Sequence, residues 1–413
     1  MTVWPKTVLG SCAFEPGTRK ANLQAERRGA ARGRVGGTGD GAMGVGGKSV
    51  DSASSGGMPP KVVYNQHDLT AKRNEWHVTP PGPLNALVKS LIKEERDLPI
   101  AYLLLNVMCM TLPAAAAVFY VGSNWLGLAY MLSNILLFQE RFTLALHFSS
   151  HRRLTDNKWL NAIPTYVLSP FFGIPSGMYF LHHVVMHHVE NNVFPWDVSS
   201  TEPYQRDNFL HFLHYWARFL FAIWVELPYY AWVRGRRDMA ISSSCCIVLC
   251  LGAYYALYQW NPVGTFWVFV LPTLLGSFFL MFGNWSQHIF VDPRKPEDNY
   301  HLTYNVINTP NNQTSFNDGY HIEHHLQSRR HWTELPEAFN EKLDEYAKEE
   351  ALVFDGLDFM AVGFLTFTGN YKVLTSKLVQ FKEPKMSPSE AEAMLRARLV
   401  PIHRVDGKQV KAA

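Results

Sequence analysis

Charge is in short supply in this chain. Asp, Glu, Lys and Arg make up 18% of its 413 residues against 47% apolar ones, and the formal net charge is only +3. So small a balance gives no reason to expect a nucleic-acid partner. Cysteine is scarce too: four of the five (Cys109, Cys245, Cys246, Cys250) lie within long apolar runs, and no C-x-x-C pair exists. That argues against a disulfide framework and against a thiolate zinc site. No secretory signal with a short apolar core opens the chain, and no internal repeat is visible.

What is present is apolar sequence in runs of membrane-spanning length, for which about 20 residues are needed. The runs are Pro99 to Val121, Trp125 through Gln139, Glu140 and Arg141 into "FTLAL", Ile241 to Trp260, and Val263 to Gly283. Short uncharged turns, "GSN" and "NPVG", join them in pairs. The flanking cations (Lys89, Lys93, Arg96, Arg152, Arg153, Arg234, Arg236, Arg237, Arg294 and Lys295) all fall on the other side. That is the positive-inside pattern of two helical hairpins with both termini cytoplasmic or stromal.

Residues 1–75 are rich in Gly, Ala, Ser and Arg, which predicts a disordered segment, with a transit peptide as the alternative. Residues 76–345 read as the membrane domain and 346–413 as a C-terminal cytoplasmic extension. Between the hairpins, 161–180 contains Pro164, Pro170 and Pro175, and 208–232 is aromatic with Arg218 and Glu226 breaking the run. Both predict helices lying in the interface plane.

Histidine clusters in four places. "HFSSH" sets His147 and His151 one helical turn apart. "HHVVMHH" holds His182, His183, His187 and His188. His288 follows the fourth run, and "DGYHIEHHLQ" holds His321, His324 and His325. Positions i, i+3 and i+4 share one helix face, so each cluster aims several imidazoles in one direction. All four follow spans on the same predicted side and can converge at one depth. Buried imidazoles need partners, which makes a metal the expected one. There are too many for a single tetrahedral ion, and zinc has no redox chemistry. Two irons with dioxygen suit an inert C–H bond beside a membrane.

These motifs resemble the membrane fatty-acid desaturase and hydroxylase superfamily over roughly Pro99 to Pro336: H-x-x-x-H, a second histidine-rich box, and H-x-x-H-H, with two spans between the last two. The Asn284–His288 pair is similar to the extra ligand position of stearoyl-CoA desaturases. The resemblance implies an all-α integral membrane protein, with four transmembrane helices in two hairpins and a cytoplasmic helical cap holding a di-iron site. It implies iron ligands at His147, His151, His183, His187, His188, His288, His321, His324 and His325, with Asn284, His182 and Glu323 supporting them. Electrons would come from cytochrome b5 or ferredoxin, dioxygen would be the co-substrate, and an acyl lipid in the bilayer the substrate. The endoplasmic reticulum is favoured over a plastid membrane. A hydroxylase or ketolase acting on a fatty acid, sphingolipid, sterol or carotenoid is the neighbouring expectation.

The second box departs from the usual spacing, since Val184 stands where a histidine would; its leading histidine is then His183 or His182, with His183 preferred. On a regular helix His188 would lie about 140° from His183, so a π-bulge or a helix end is expected there. No H-P-G-G heme motif occurs, and His321 replaces the glutamine usual in front-end desaturases. Glu140 and Arg141 read as an interfacial ion pair. Asp197, Glu202 and Arg206 read either as an acidic stretch like that of relatives or as an ordinary solvated loop. His211, His214, His301 and His331 read as surface residues, and Arg329 and Arg330 as contacts for lipid head groups or a redox partner.

Overall fold

The computed structural model describes residues 63–71, 78–405 and 408–409, which fall within one compact unit, Val62–Ala413. The disorder expected over 1–75 lies mostly outside the described residues. Where they overlap the reading changes: α1 (Gln66–Thr70) is a helical turn with Asp68 buried.

The protein is mostly helical. α2 (Leu98–Val121) starts on Pro99, whose missing N–H costs nothing in a first turn. It stops at Gly122, which takes φ +65° and donates its N–H to Val118 O at 2.9 Å. α3 (Asn124–Asn134) runs through a π-helical segment, Ile135–Gln139, into α4 (Glu140–His151). α5 (Phe209–Val233) packs on α6 (Arg237–Trp260) and on α7 (Leu271–Gln287). At the far end of the bundle Asn261 Nδ2 donates to Phe119 O at 2.7 Å, tying the two hairpin turns together.

Among the described residues three helices are long and apolar enough to cross a membrane: Glu95–Val121, Arg237–Trp260 and Pro262–Gln287. Their outward faces hold large apolar side chains such as Val248, Leu249 and Tyr255, all exposed, as lipid contact requires. The expected further span, from Trp125 into Leu146, lies within one unbroken helical run, Asn124–His151. Asn134, Gln139, Glu140 and Arg141 dilute its apolar character, so it is not among the three.

Beyond α7 the chain continues in short helices and strands. β1 (Asn305–Ile307) leads to α8 (His321–Leu326), and β2 (Val353–Asp355) pairs parallel with β1, Asn305 opposite Val353. α9 (Phe359–Phe367) then packs on α7. The stretch from 346 onward is therefore joined to the rest by a strand pair and a packed helix. The Asp197–Arg206 loop is buried, not solvated: Asp197, Glu202 and Arg206 are all 0% exposed. Arg206 spends its donors on the carbonyls of Ile289, Arg398 and Val400 at 2.7–2.9 Å, and Glu202 pairs with Arg404 at 2.6 Å.

One close approach holds the bundle to the connector before the second histidine box. A Cβ on Gly276 would lie 2.2 Å from Phe172 O, so only glycine lets α7 approach this backbone. Gly276→Val is expected to destabilise the protein by about 1–3 kcal/mol. Thermal unfolding in detergent checks this; an unchanged Tm would contradict the close packing.

Candidate metal centre

Each box is aimed by its own helix. α4 places His147 and His151 at its C-terminal end, one turn apart on one face. The second box lies on a π-helix, Leu181–His187, so the expected bulge is present. Its signature bond runs from His188 N–H to His183 O, five residues back. This wider turn brings His183 and His188 onto one side despite Val184. α8 carries His321, His324 and His325, and His288 caps α7, its N–H bonded to Asn284 O at 3.1 Å.

The nitrogens meet in two neighbouring groups. In the first, ligand atoms of His147, His151, His183, His188 and His324 all lie within 4.8 Å of one another. Their Nε2 atoms form a chain of short contacts: His147–His324 at 2.7 Å, His324–His188 at 3.0 Å, His188–His183 at 3.1 Å and His183–His151 at 3.0 Å. Each Nε2 carries either one hydrogen or one lone pair, so protons cannot satisfy all four contacts. The second group is His187, His288 and His325. His321 stands beside it, its ring centroid 4.8 Å from His325 and 5.5 Å from His288.

Buried ring nitrogens without a hydrogen-bond partner concentrate here: His288 Nε2 and both nitrogens of His321 and His325. Burial first, then the neighbouring imidazoles, holds His183, His188, His321, His324 and His325 well below the ordinary histidine range, and burial takes His288 to about 3. They are neutral lone-pair donors, the form a metal binds. The residues present fit two histidine-ligated metal ions.

Carboxylates stand behind the histidines. Asp197 Oδ2 accepts from His187 Nδ1 at 2.7 Å, which fixes that ring's tautomer and turns Nε2 inward. Burial favours the protonated acid at Asp197, but the hydrogen bonds from His187 and Ser199 hold it below the usual carboxylate range. Asp318 Oδ1 lies 3.7 Å from His147 Nδ1 and 3.9 Å from His321 Nδ1. Burial pushes this carboxyl up to about 7, the charge of Glu140 adds to that, and a bond from Gln287 opposes it. Asp318 was not assigned from sequence, although it stands one turn before His321 in the third box. His288 Nδ1 donates to Leu302 O at 3.0 Å.

Other candidates fall elsewhere. His182 bonds Ser199 Oγ at 3.1 Å and packs edge-on against Phe219, outside both groups. Glu323 bonds Lys342 Nζ at 2.8 Å and Tyr346 hydroxyl at 3.1 Å, so its partners are not histidines of the centre. Asn284 donates to Ser199 O and Tyr215 hydroxyl. Glu140 accepts from Asn311 at 2.8 Å. His301 and His331 are buried, against expectation: His331 pairs with Asp97 at 2.9 Å, and His301 lies 3.4 Å from both Asp292 and Glu349. His211 and His214 are exposed, as expected.

A cavity of about 280 Å³ opens against the histidines. His147, His183, His187 and His321 form one wall, while Ile135, Leu144, Phe279, Leu280, Met281 and Phe359 supply apolar lining. Asn284, Asp318 and Glu140 also face it.

The fold and this centre define a class: helical membrane proteins whose histidine-bearing segments close on a pair of neighbouring clusters beside an apolar cavity. The chain belongs to the fatty acid desaturase family, whose model matches residues 93–356. It is similar to the human "fatty acid desaturase 2-like protein FADS2B", 20% identical over 257 residues that cover 54% of this chain. The chain spans about half the length of that relative, 52%. No solved structure matches it.

Asp197→Asn is expected to lower metal affinity about 10–100-fold, since the amide can no longer hold the same His187 tautomer. Iron retained against a chelator measures this; equal retention would deny Asp197 the orienting role.

Proposed function

We propose that the protein is an O2-dependent di-iron desaturase that introduces a double bond into a fatty acyl chain of a membrane lipid. The observation that carries the reading is the pair of buried histidine groups on one wall of an apolar-lined cavity. His147, His151, His183, His188 and His324 would hold one iron, and His187, His288, His325 and His321 the other. Bound iron would supply dioxygen activation and the oxidising power that a saturated methylene requires.

The chain's own residues do the rest. The apolar lining takes an extended alkyl chain and excludes bulk water. His147, His183, His187 and His321 set which carbon lies against the metals. Asp197 keeps the His187 ring turned inward. The two donor bonds of Asn284 leave its amide oxygen to hold a bound water. Overall, adjacent carbons lose two hydrogens, and dioxygen with two electrons and two protons leaves as two waters. A one-electron protein donor of the cytochrome b5 or ferredoxin kind would supply the electrons.

The same proposal includes four spans, with Asn124–His151 as the second. Its polar residues Gln139 and Glu140 line the cavity, which accounts for its weaker apolar character. The cap then faces the cytoplasm, and the endoplasmic reticulum is the preferred membrane.

Expression in a host with a simple lipid profile, read by gas chromatography–mass spectrometry, is expected to give a new unsaturated chain that His324→Ala abolishes. A hydroxylated chain would reassign the protein to the hydroxylases of the family. Unchanged lipids, with iron bound and donor supplied, would sink the acyl-chain reading.

A further inference from the structure

The segment ahead of the first span is tied to the third histidine box by buried hydrogen bonds. Asp68 is 0% exposed, and its Oδ2 accepts from Asn308 N at 2.8 Å, Asn312 Nδ2 at 3.0 Å and Tyr320 hydroxyl at 2.7 Å. Asn65, also 0% exposed, donates to the same Tyr320 hydroxyl at 2.9 Å and to Pro336 O at 3.0 Å. Asn340 donates to Asn65 Oδ1 at 2.7 Å, and Asn308 Nδ2 to Tyr64 O at 2.7 Å. These partners lie 240 or more residues away along the chain.

The ties meet the parts that set α8. Tyr320 immediately precedes His321 and its carbonyl accepts from His324 N at 3.0 Å. Asn312, held by Asp68, accepts from Gly319 N at 3.2 Å and donates to Val306 O at 3.0 Å. α8 has only six residues, too short to hold its own orientation. A charged acceptor buried among three donors is strong and directional.

We infer that Tyr64–Asp68 is a positioning strap, in which Asp68, through Tyr320 and Asn312, sets the angle at which α8 presents His321, His324 and His325 to the metals. This rests on the proposed metal centre, but the strap lies outside the residues matched by the family model, which begin at 93. The hydrogen bonds of Asp68 go to Asn308, Asn312 and Tyr320, one remove from the histidines of the centre, so it is a positioning residue and not a catalytic one.

The test uses full-length protein in detergent, as wild type, Asp68→Ala and the milder Tyr320→Phe. Amide hydrogen exchange across 319–327 is followed in metal-free protein. Iron bound per chain after Fe²⁺ loading and chelator challenge, and the Mössbauer spectrum of the ferrous sample, are then measured. Asp68→Ala should speed exchange in that segment about 10- to 100-fold, the effect of losing hydrogen bonds to a charged group. Iron retention should fall about tenfold or more, with altered quadrupole splitting.

Tyr320→Phe should move both readouts the same way by less, and it decides the matter if Asp68→Ala does not fold. Exchange unchanged in a folded variant overturns the strap; faster exchange with the iron signals unmoved overturns the positioning role. Wild-type protein that binds no iron would sink the metal centre, while the exchange data would still decide whether the strap holds α8.

Discussion

Gathering nine imidazoles from four stretches of chain into one buried volume is the constraint on which the rest of this structure depends. An imidazole nitrogen removed from water without a partner costs about 1–3 kcal/mol, and here several are grouped. Protonation gives no escape, because each new positive charge would sit among the other rings in a poorly screened interior. Lone pairs crowded to 2.7–3.1 Å are tolerable when a shared cation draws on all of them. Without such a ligand the arrangement would be a defect in the core. With one, it stores metal affinity.

That constraint explains the carboxylates behind the rings and the shape of the elements. Neutral imidazoles would do nothing to offset the charge of two divalent ions, so the compensation would have to come from carboxylates behind them. Asp197 on one group and Asp318 beside the other are placed for it, each reached through a ring's Nδ1. The burial of Glu202 and Arg206 follows from the same need. The loop carrying Asp197 must be rigid if His187 is to point one way, and a guanidinium bonded to backbone carbonyls fastens it.

How much of this was legible depended on whether the information is local. The boxes could be read because i, i+3 and i+4 spacing fixes a common face in any helix, and the fault at Val184 could be read as a fault because three histidines cannot share a regular helix face. The three long apolar helices were legible from apolar length, while a fourth run turns polar residues to the cavity. Directions set by tertiary partners were not legible. Nothing local says that Glu323, inside the third box, faces Lys342 and Tyr346, or that His301 and His331 are buried on carboxylates. Asp68 was hidden more deeply. Its partners are 240 or more residues away, and its own neighbourhood reads as part of the disordered segment expected over 1–75.

Local helix geometry also accounts for the meeting of the boxes. π-helical segments occur at Ile135–Gln139, Pro164–Leu168, Leu181–His187 and Phe266–Val270. One extra residue in a helix rotates everything beyond it by about 100°. In the Asn124–His151 run the π-helical segment falls where the helix begins to line the cavity, at Ile135 and Gln139. Without it, the face carrying His147 and His151 would be swung aside by that angle relative to α3. In the second box the same device acts within the motif, bringing His188 under His183. A regular helix would give better backbone hydrogen bonds in both places. The departures persist because the geometry of the centre over-determines them, so the irregular turns mark where site geometry prevails over helix propensity.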